Sequence, residues 1–351
     1  MAKAKKKLLP KDFEQMLVAG DITKLQAIFD SCDLNARGGY GKQSALAFDQ
    51  CPDTFVRWLV AQGADLSTVD SWGRTPLHAR AGSHRARIDV LLELGADVNS
   101  DSASIGTPLH AAARAQHAEN ARLLLEWGAR VDAVNREGLT PLELGLRDCD
   151  NISLERMASL AIVLLEAGAK RTSRMKDLVE KIGKEFEWHR AAYNPAGVDA
   201  ASAALDRLYD IFDVSPVPRR LIHDAKSLIV VNATSWQEQH QELWELLVPS
   251  TGHAATIQGE VIRISGRIAY ELEDNGGVNW DTDFNKMADA FLEYIQTGNP
   301  LSPPHNADAA AIVREAKRKS GDLARLCKIA VAWVLLNPIP AKLEPPPHYR
   351  R

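Results

Sequence analysis

The chain has 351 residues, of which 45% are apolar and 25% charged, a balance typical of globular proteins with two or three domains. Its formal net charge of −4 makes nucleic acid an unlikely main partner, because phosphate binding requires a concentrated basic surface. The longest apolar run, 329–336, is far shorter than the roughly 20 residues that span a bilayer. We therefore predict a soluble cytoplasmic protein with no membrane partner.

The first residues, 1–9, predict a disordered basic tail. Pro10 and the charged residues after it interrupt any apolar core that a signal peptide would need. Lysine runs of this kind are usually solvated. The alternative is that Lys3 to Lys7 contact nucleic acid or a membrane, and contact with nucleic acid would give a steeply salt-dependent affinity.

Two short motifs then recur at one period. Thr-Pro-Leu begins at Thr75, Thr107 and Thr140, at intervals of 32 and 33 residues. A second motif, Gly-Ala, keeps the same intervals at Gly63, Gly95 and Gly128. Threonine caps a helix and proline suits its first turn, whereas glycine supplies the left-handed residue that ends the following helix. Each unit is thus a helix pair.

Two motifs in register over 10–172 resemble ankyrin repeats. The resemblance predicts an all-α fold, an ankyrin-repeat solenoid of about five repeats, the first degenerate, followed by an α-helical bundle domain. The second repeat departs from the pattern, because Ser44 stands where threonine is expected. The fifth carries extra residues around 148–151, which predict an enlarged turn between its helices.

Beyond the repeats we predict mostly helices. Ser235 followed by Glu238 has the spacing of a capping box, and glycines at 276 and 277 predict a left-handed turn after the central helix. The predicted segments are a helical extension 173–213, a Pro-rich linker 214–222, a C-terminal helical domain 223–337 and a flexible tail 338–351.

Part of this region carries a second, less specific resemblance. It contains the sequences VSPVPRR (214–220), WQEQH (236–240), LLVP (246–249) and TIQGEVIR (256–263). With these, 187–298 is similar to C-terminal regions of uncharacterised bacterial ankyrin proteins. The resemblance implies a bacterial cytoplasmic protein and no known activity.

The ankyrin resemblance implies recognition through the hairpin tips and the inner helices of the concave face, without catalysis. The corresponding positions are Trp72, Arg74, Arg114, Arg136, Glu137, Arg147 and Asp148. An exposed tryptophan among arginines is typical of a protein-binding hot spot. The alternative is that Trp72 merely covers a hairpin and that the arginines are solvated. We therefore predict a non-enzymatic module for a protein partner, with an inhibitor or immunity-type role as the specific hypothesis.

We predict neither a metal nor a cofactor. His78 and His110 recur at one position of the repeat, but the resemblance implies that this histidine bonds adjacent loops, and Glu143 replaces it in the next unit. The four cysteines are far apart and form no C-x-x-C pair, so buried free thiols are expected. The nucleophile-elbow, Walker, Rossmann and H-E-x-x-H patterns are absent from the sequence.

One polar group in the C-terminal domain leaves two interpretations open. Glu260, Arg263 and Arg267 follow three- and four-residue steps along one helix, which favours surface ion pairs worth about 0.2–0.5 kcal/mol each. The alternative is that they form, with Asp281, a buried network or a polar site. In that case the C-terminal domain would be an effector or enzyme that the repeats deliver.

Overall fold

The computed structural model of the chain describes residues 4–102 and 104–351, and the chain divides into two compact units. Unit 1 extends to Phe186 and resumes over 194–217, and unit 2 comprises 187–193 and 218–351. The division between 217 and 218 falls inside the predicted linker, whereas most of the predicted helical extension belongs to the repeat unit.

Unit 1 is built from successive helix pairs. The helices are α1 Phe13–Ala19, α2 Ile22–Ser31, α3 Asp53–Ala61, α4 Pro76–Ala81, α5 Asp89–Glu93, α6 Pro108–Arg114, α7 Ala118–Glu126, α8 Pro141–Arg147, α9 Leu154–Glu166, α10 Ser173–His189 and α11 Val198–Phe212. The all-α solenoid prediction is confirmed. α11 packs on α9, so the stack of helices continues beyond the predicted end of the repeats at 172.

Local capping explains where the repeat helices begin. Thr75, Thr107 and Thr140 are N-caps in capping boxes, each with a proline at the first helical position. Gly95 and Gly128, after the second helices, have φ of 89° and 88°, which a side chain would strain. The predicted starts and ends are therefore confirmed, because both are set within a few residues of chain.

The third residue after each of these threonines binds the next loop. His78 Nε2 lies 2.8 Å from the carbonyl oxygen of Gly106, and His110 Nε2 lies 3.0 Å from that of Leu139. A carbonyl oxygen can only accept, so each imidazole donates from Nε2 and presents Nδ1 to its own threonine. Glu143 holds the same position and is equally buried. The predicted structural role of the histidines is confirmed.

The second repeat lacks its inner helix. A 3₁₀ turn, Ala45–Ala47, stands in its place. Arg80 of the following repeat, only 1% exposed, donates hydrogen bonds to the carbonyl oxygens of Phe48, Cys51 and Arg87. This buried guanidinium satisfies backbone groups that a regular helix would have satisfied itself.

The insertion in the fifth repeat lengthens a helix as well as a turn. Its inter-helix turn spans 148–153, compared with 115–117 in the fourth repeat. The helix that follows, α9, has 13 residues, whereas α7 has 9. The prediction that an enlarged turn takes up the extra residues is therefore only partly correct.

The basic segment 4–9 is not a loose tail. Strand β1, Lys6–Leu8, pairs in parallel with β2, Cys32–Gly38, which pairs antiparallel with β3, Gln43–Ser44. Leu9 is buried beside these strands. The disordered-tail prediction is therefore wrong for residues 4–9, because backbone hydrogen bonds to the edge of β2 hold β1 in place. Lys3 lies outside the described residues.

Unit 2 is a bundle around α13. Its helices are α12 Trp236–Leu247, α13 Ile257–Ala269, α14 Thr282–Tyr294, α15 Pro303–Ala316 and α16 Leu323–Leu336. The capping box of Ser235 and Glu238 is confirmed. A π-helical turn, Tyr270–Asp274, extends α13, and glycines 276 and 277, at φ of 60° and 70°, reverse the chain as predicted. α13 packs on α12, α14 and α16 and lies at the centre of the apolar core.

The flexible-tail prediction for 338–351 is also wrong. The backbone N–H of Ile257, at the start of α13, donates a hydrogen bond to the carbonyl oxygen of Ala341 at 2.8 Å. Tyr349 is only 3% exposed, and its hydroxyl donates to Glu260 at 2.7 Å. Proline-rich sequence has no helical or strand period, so its docking depends on a surface that only the folded bundle provides.

Candidate functional site

The most exposed aromatic group of unit 1 is formed by the tips of two neighbouring repeat hairpins. We call Tyr40, Trp72 and Arg74 the tip cluster. Tyr40 is 95% exposed and Trp72 43% exposed, and their ring centroids are 5.9 Å apart. The Arg74 guanidinium carbon lies 4.6 Å from the Trp72 ring centroid, within cation–π range.

The carboxylate of Asp70 holds Trp72 and Arg74 of the tip cluster in place. Its carboxylate accepts hydrogen bonds from the backbone N–H groups of Trp72 and Arg74, both at 2.9 Å, and from Arg74 Nε at 2.8 Å. Asp70 is 4% exposed, so the backbone of Trp72 and the side chain of Arg74 are attached to a buried carboxylate. The Trp72 ring also packs against Gly41, where an added Cβ would lie 2.3 Å from it. The cluster is therefore pre-organised, which reduces the entropy lost when a partner binds.

The predicted charged positions of the fourth and fifth repeats form a separate ion-pair group. Asp148 forms an ion pair with Arg114, whose Nε lies 3.1 Å from its carboxylate, and accepts a hydrogen bond from Arg147 Nε at 2.8 Å. Arg147 also pairs with Glu137. Arg136 is exposed on the neighbouring hairpin tip, and no salt bridge joins it to this group. The structure thus brings four of these residues together but separates them from the tip cluster, and their charges compensate one another.

Sequence reasoning missed Tyr40. It follows two glycines and precedes a third at the tip of the β2–β3 hairpin, where its side chain is almost fully exposed and its ring lies beside that of Trp72. An aromatic residue among glycines in a repeat tip was the available signal. The irregular second repeat, with no Thr-Pro-Leu motif, hid the hairpin that presents it.

In unit 2, the expected surface pair of Glu260 and Arg263 is instead completely buried, at 0% and 1% exposure. Arg263 donates to the carboxylate from Nε at 2.9 Å and from Nη2 at 2.6 Å. Ala254 N and the Tyr349 hydroxyl add bonds at 2.9 and 2.7 Å. Burial alone would raise the pKa of Glu260, but these donors, chiefly Arg263, lower it below its ordinary value of 4.5. The group is ionic and structural.

The other two predicted polar residues lie apart from this pair. Arg267, one turn after Arg263, is exposed on α13. Asp281 caps α14 by accepting from the backbone of Phe284 at 3.1 Å, and it pairs with Arg351 at 2.6 Å. Within the described chain, Glu260 and Arg263 are thus the two of these four residues that bond each other.

Within 4–102 and 104–351, no helix is both long and apolar enough to cross a bilayer. Over the same residues, no three potential metal-ligating side chains are grouped closely enough to hold an ion.

Comparison with known proteins covers the repeat region. Residues 44–148 match the family described as ankyrin repeats, in three copies. Human ankyrin repeat and SOCS box protein 9 is 46% identical over 71 residues, 20% of this chain and 24% of that protein. Human Rabankyrin-5 is 35% identical over 99 residues, 28% of this chain and 8% of that protein. The chain thus spans about a quarter or less of the length of these two relatives.

A shorter relative is covered more completely. Cyclin-dependent kinase 4 inhibitor B of Rattus norvegicus is 33% identical over 90 residues, which are 25% of this chain and 69% of that protein.

Proposed function

The chain belongs to the ankyrin-repeat proteins, and on that premise we propose that unit 1 binds a protein partner with the tip cluster at the centre of the contact. The observation that carries the proposal is the exposed pair of Tyr40 and Trp72, in which buried Asp70 bonds the backbone of Trp72 and the Trp72 ring packs on Gly41. Rigid aromatic residues supply large contact areas at low entropic cost and are enriched in hot spots.

We further propose that the contact depends on aromatic burial more than on charge. Arg74 is already bonded to Asp70, and Arg147 to Asp148 and Glu137. A partner therefore gains little by supplying new carboxylates to these arginines. Raising the salt concentration should weaken binding only about threefold, because paired charges steer an approaching protein weakly.

The experiment compares capture by the full chain and two variants in a bacterial lysate. Tyr40→Ala/Trp72→Ala removes the aromatic surface, whereas Trp127→Ala removes a similarly exposed tryptophan elsewhere in unit 1. After quantitative mass spectrometry identifies the captured protein, its purified form is titrated against all three. We expect at least about 30-fold weaker binding to the double variant and less than about threefold change with Trp127→Ala. If Tyr40→Ala/Trp72→Ala and Trp127→Ala weakened binding equally, or if neither weakened it, the tip cluster would not be the binding surface.

An inhibitor or immunity-type role is the finer form of this proposal. The name of the rat relative states that it inhibits cyclin-dependent kinase 4, and that protein aligns with this chain over 69% of its length. The same capture experiment tests the idea, since the activity of the identified partner can be assayed with and without the chain. The bacterial and cytoplasmic setting stays a prediction; the three relatives compared are eukaryotic.

The alternative, in which unit 2 is an effector or enzyme, receives less support. Glu260 and Arg263 are bound to each other in the core, and Asp281 caps a helix. Such groups hold the fold and are not arranged around a reacting atom. Among the four, Arg267 alone has no ion-pair partner in the described residues, and it lines a cavity of unit 2.

A further inference from the structure

A cavity of about 510 Å³ opens within unit 2 beside α13. It is bounded by the end of α12, the loop 248–252, one face of α13 with the turn that follows it, and the beginning of α14. Its volume lies within the range of about 300–1,000 Å³ that small-molecule sites occupy. Nothing in the ankyrin repeats accounts for it, because every lining residue belongs to unit 2.

One wall of the cavity is aromatic and rigid. Trp188 and Trp244 stack with ring centroids 5.9 Å apart, and Arg220 covers Trp188 with its guanidinium carbon 3.7 Å from the ring centroid. Gly266 makes this wall possible, since an added Cβ would lie 2.5 Å from the Trp244 ring. Tyr270, 63% exposed, lines the cavity one turn farther along. An apolar or aromatic ligand body would find a surface here that needs no rearrangement.

Three arginines also line the cavity: Arg263, Arg267 and Arg351. The first and last have acidic partners, Glu260 and Asp281, whereas Arg267 has no carboxylate within ion-pair distance among the described residues. Partial burial of this otherwise exposed side chain, together with the positive charges of Arg263 and Arg351, lowers the pKa of Arg267. The three cations therefore repel one another across the cavity, and an anion would reduce that repulsion.

Arg263 adds an independent observation. It is 1% exposed, and its Nη1 is buried without a hydrogen-bond partner. Because Nε and Nη2 both bond Glu260, Nη1 is the nitrogen of the planar guanidinium that is left without an acceptor, and a small shift of the cavity wall would bring a ligand oxygen to it. A buried N–H without an acceptor is costly, so an incoming oxygen would be bound favourably.

The single carboxylate in the lining does not oppose an anion strongly. Glu271 accepts from Asn275 Nδ2 at 2.9 Å and from Asn279 N at 2.6 Å. Its oxygens thus face donors of its own turn. His240, also in the lining, is neutral near pH 7, since burial lowers its pKa to about 4.

We propose that this cavity binds a small organic anion: a phosphate or carboxylate group on Arg267 and Arg263 Nη1, with a ring-shaped body against Trp244 and Tyr270. Arginine suits both groups because its planar fork matches two oxygens at once. A cavity of this volume is too large for inorganic phosphate alone, so the body contributes to recognition.

Isothermal titration of the full chain with four probes tests the proposal. AMP represents the phosphates and indole-3-acetate the carboxylates; adenosine lacks the anion, and inorganic phosphate lacks the body. We expect AMP or indole-3-acetate to bind saturably, depending on whether the site takes a phosphate or a carboxylate, and we expect salt to weaken that binding. The organic anion should bind at least about tenfold more tightly than adenosine or inorganic phosphate. Equal binding of adenosine or phosphate, or no saturation by either organic anion at a few mM, would overturn the proposal.

Variants locate the binding. Arg267→Gln should weaken it by about tenfold or more, and since Arg267 makes no ion pair with a carboxylate, the core pair of Glu260 and Arg263 stays intact. Arg314→Gln, an exposed arginine on α15 outside the cavity, is the matched control. Tyr270→Ala, at an exposed ring, tests the body contact separately. Retained affinity in both cavity variants, or equal loss in the control, would place the ligand elsewhere.

Discussion

The substitution Glu260→Gln tests the buried ion pair of unit 2 directly. Glutamine keeps the shape of the side chain but removes the negative charge, while Arg263 stays protonated in the core. In the wild type the carboxylate receives two bonds from Arg263 and one from Tyr349, at 2.6 to 2.9 Å. The variant leaves a cation buried at 1% exposure without its counter-charge.

The expected loss is large for a single substitution. Removing one partner of a buried pair costs about 3–5 kcal/mol, because the remaining charge is neither solvated nor compensated. For a unit of this size, each kcal/mol lowers the melting temperature by about 3 °C, so unit 2 should melt about 10 °C lower. The matched control, Glu293→Gln on exposed α14 surface, should change stability by less than about 0.5 kcal/mol.

Hydrogen exchange read by mass spectrometry separates the two units within the intact chain. Amides of α13 and α14 should exchange about a hundredfold faster or more in Glu260→Gln, whereas those of α6 and α7 keep their rates.

The loss of stability in Glu260→Gln should also depend on pH. The pKa of Glu260 is lowered on folding, so its contribution is complete above the ordinary value of 4.5 and is lost as the pH falls through the folded value.

The difference between wild type and variant should therefore shrink below pH 4.5. A destabilisation under about 1 kcal/mol at pH 7, or one that is constant down to pH 3, would refute the reasoning that an ionised carboxylate holds Arg263 in the core.

Three further predictions follow from the contacts of single side chains. Tyr349→Phe should destabilise unit 2 by about 1.5–3 kcal/mol in urea unfolding, because it removes a hydrogen bond to a buried carboxylate; an unchanged midpoint would mean that the Tyr349 hydroxyl contributes nothing to stability. Arg80→Met should cost unit 1 at least about 3 kcal/mol, since the carbonyl oxygens of Phe48, Cys51 and Arg87 each lose one hydrogen bond, and Arg80→Lys should recover part of it; equal losses would contradict the hydrogen-bonding role. Unit 1 should lose stability as the pH falls below 6.5, because burial lowers the pKa of His78 and His110, so that these histidines bind protons at a higher pH in the unfolded chain than in the folded one. If the free energy of unfolding of His110→Gln fell with pH as steeply as that of the wild type, this explanation would be contradicted.

Prediction from sequence succeeded wherever a structural signal is local. Thr75 and Thr107 cap helices through atoms three residues away, and Gly95 ends one through its own φ. Ser235 with Glu238 followed the same rule in unit 2. Such geometry is decided within one turn of chain, so residue type and spacing suffice to predict it.

Prediction failed where a residue's environment comes from distant chain. The stripe of Glu260 and Arg263 is compatible with an exposed helix face, and only the packing of α12, α14, α16 and 338–351 around α13 makes it core. Arg80 has the sequence context of a solvated arginine. It is nevertheless buried, because the preceding repeat lacks its inner helix and leaves backbone carbonyl oxygens that Arg80 bonds.

The candidate sites divide in the same way. By itself the sequence determined the repeat period, and with it the hairpin tip that carries Trp72 and Arg74. The tertiary structure alone decided that Tyr40 of the neighbouring tip joins them, and that Arg263 and Arg267 border a cavity walled by Trp188 and Trp244. The physical reason is that capping and turn conformations are properties of adjacent residues, whereas burial, pairing and cavities exist only between segments that folding has brought into contact.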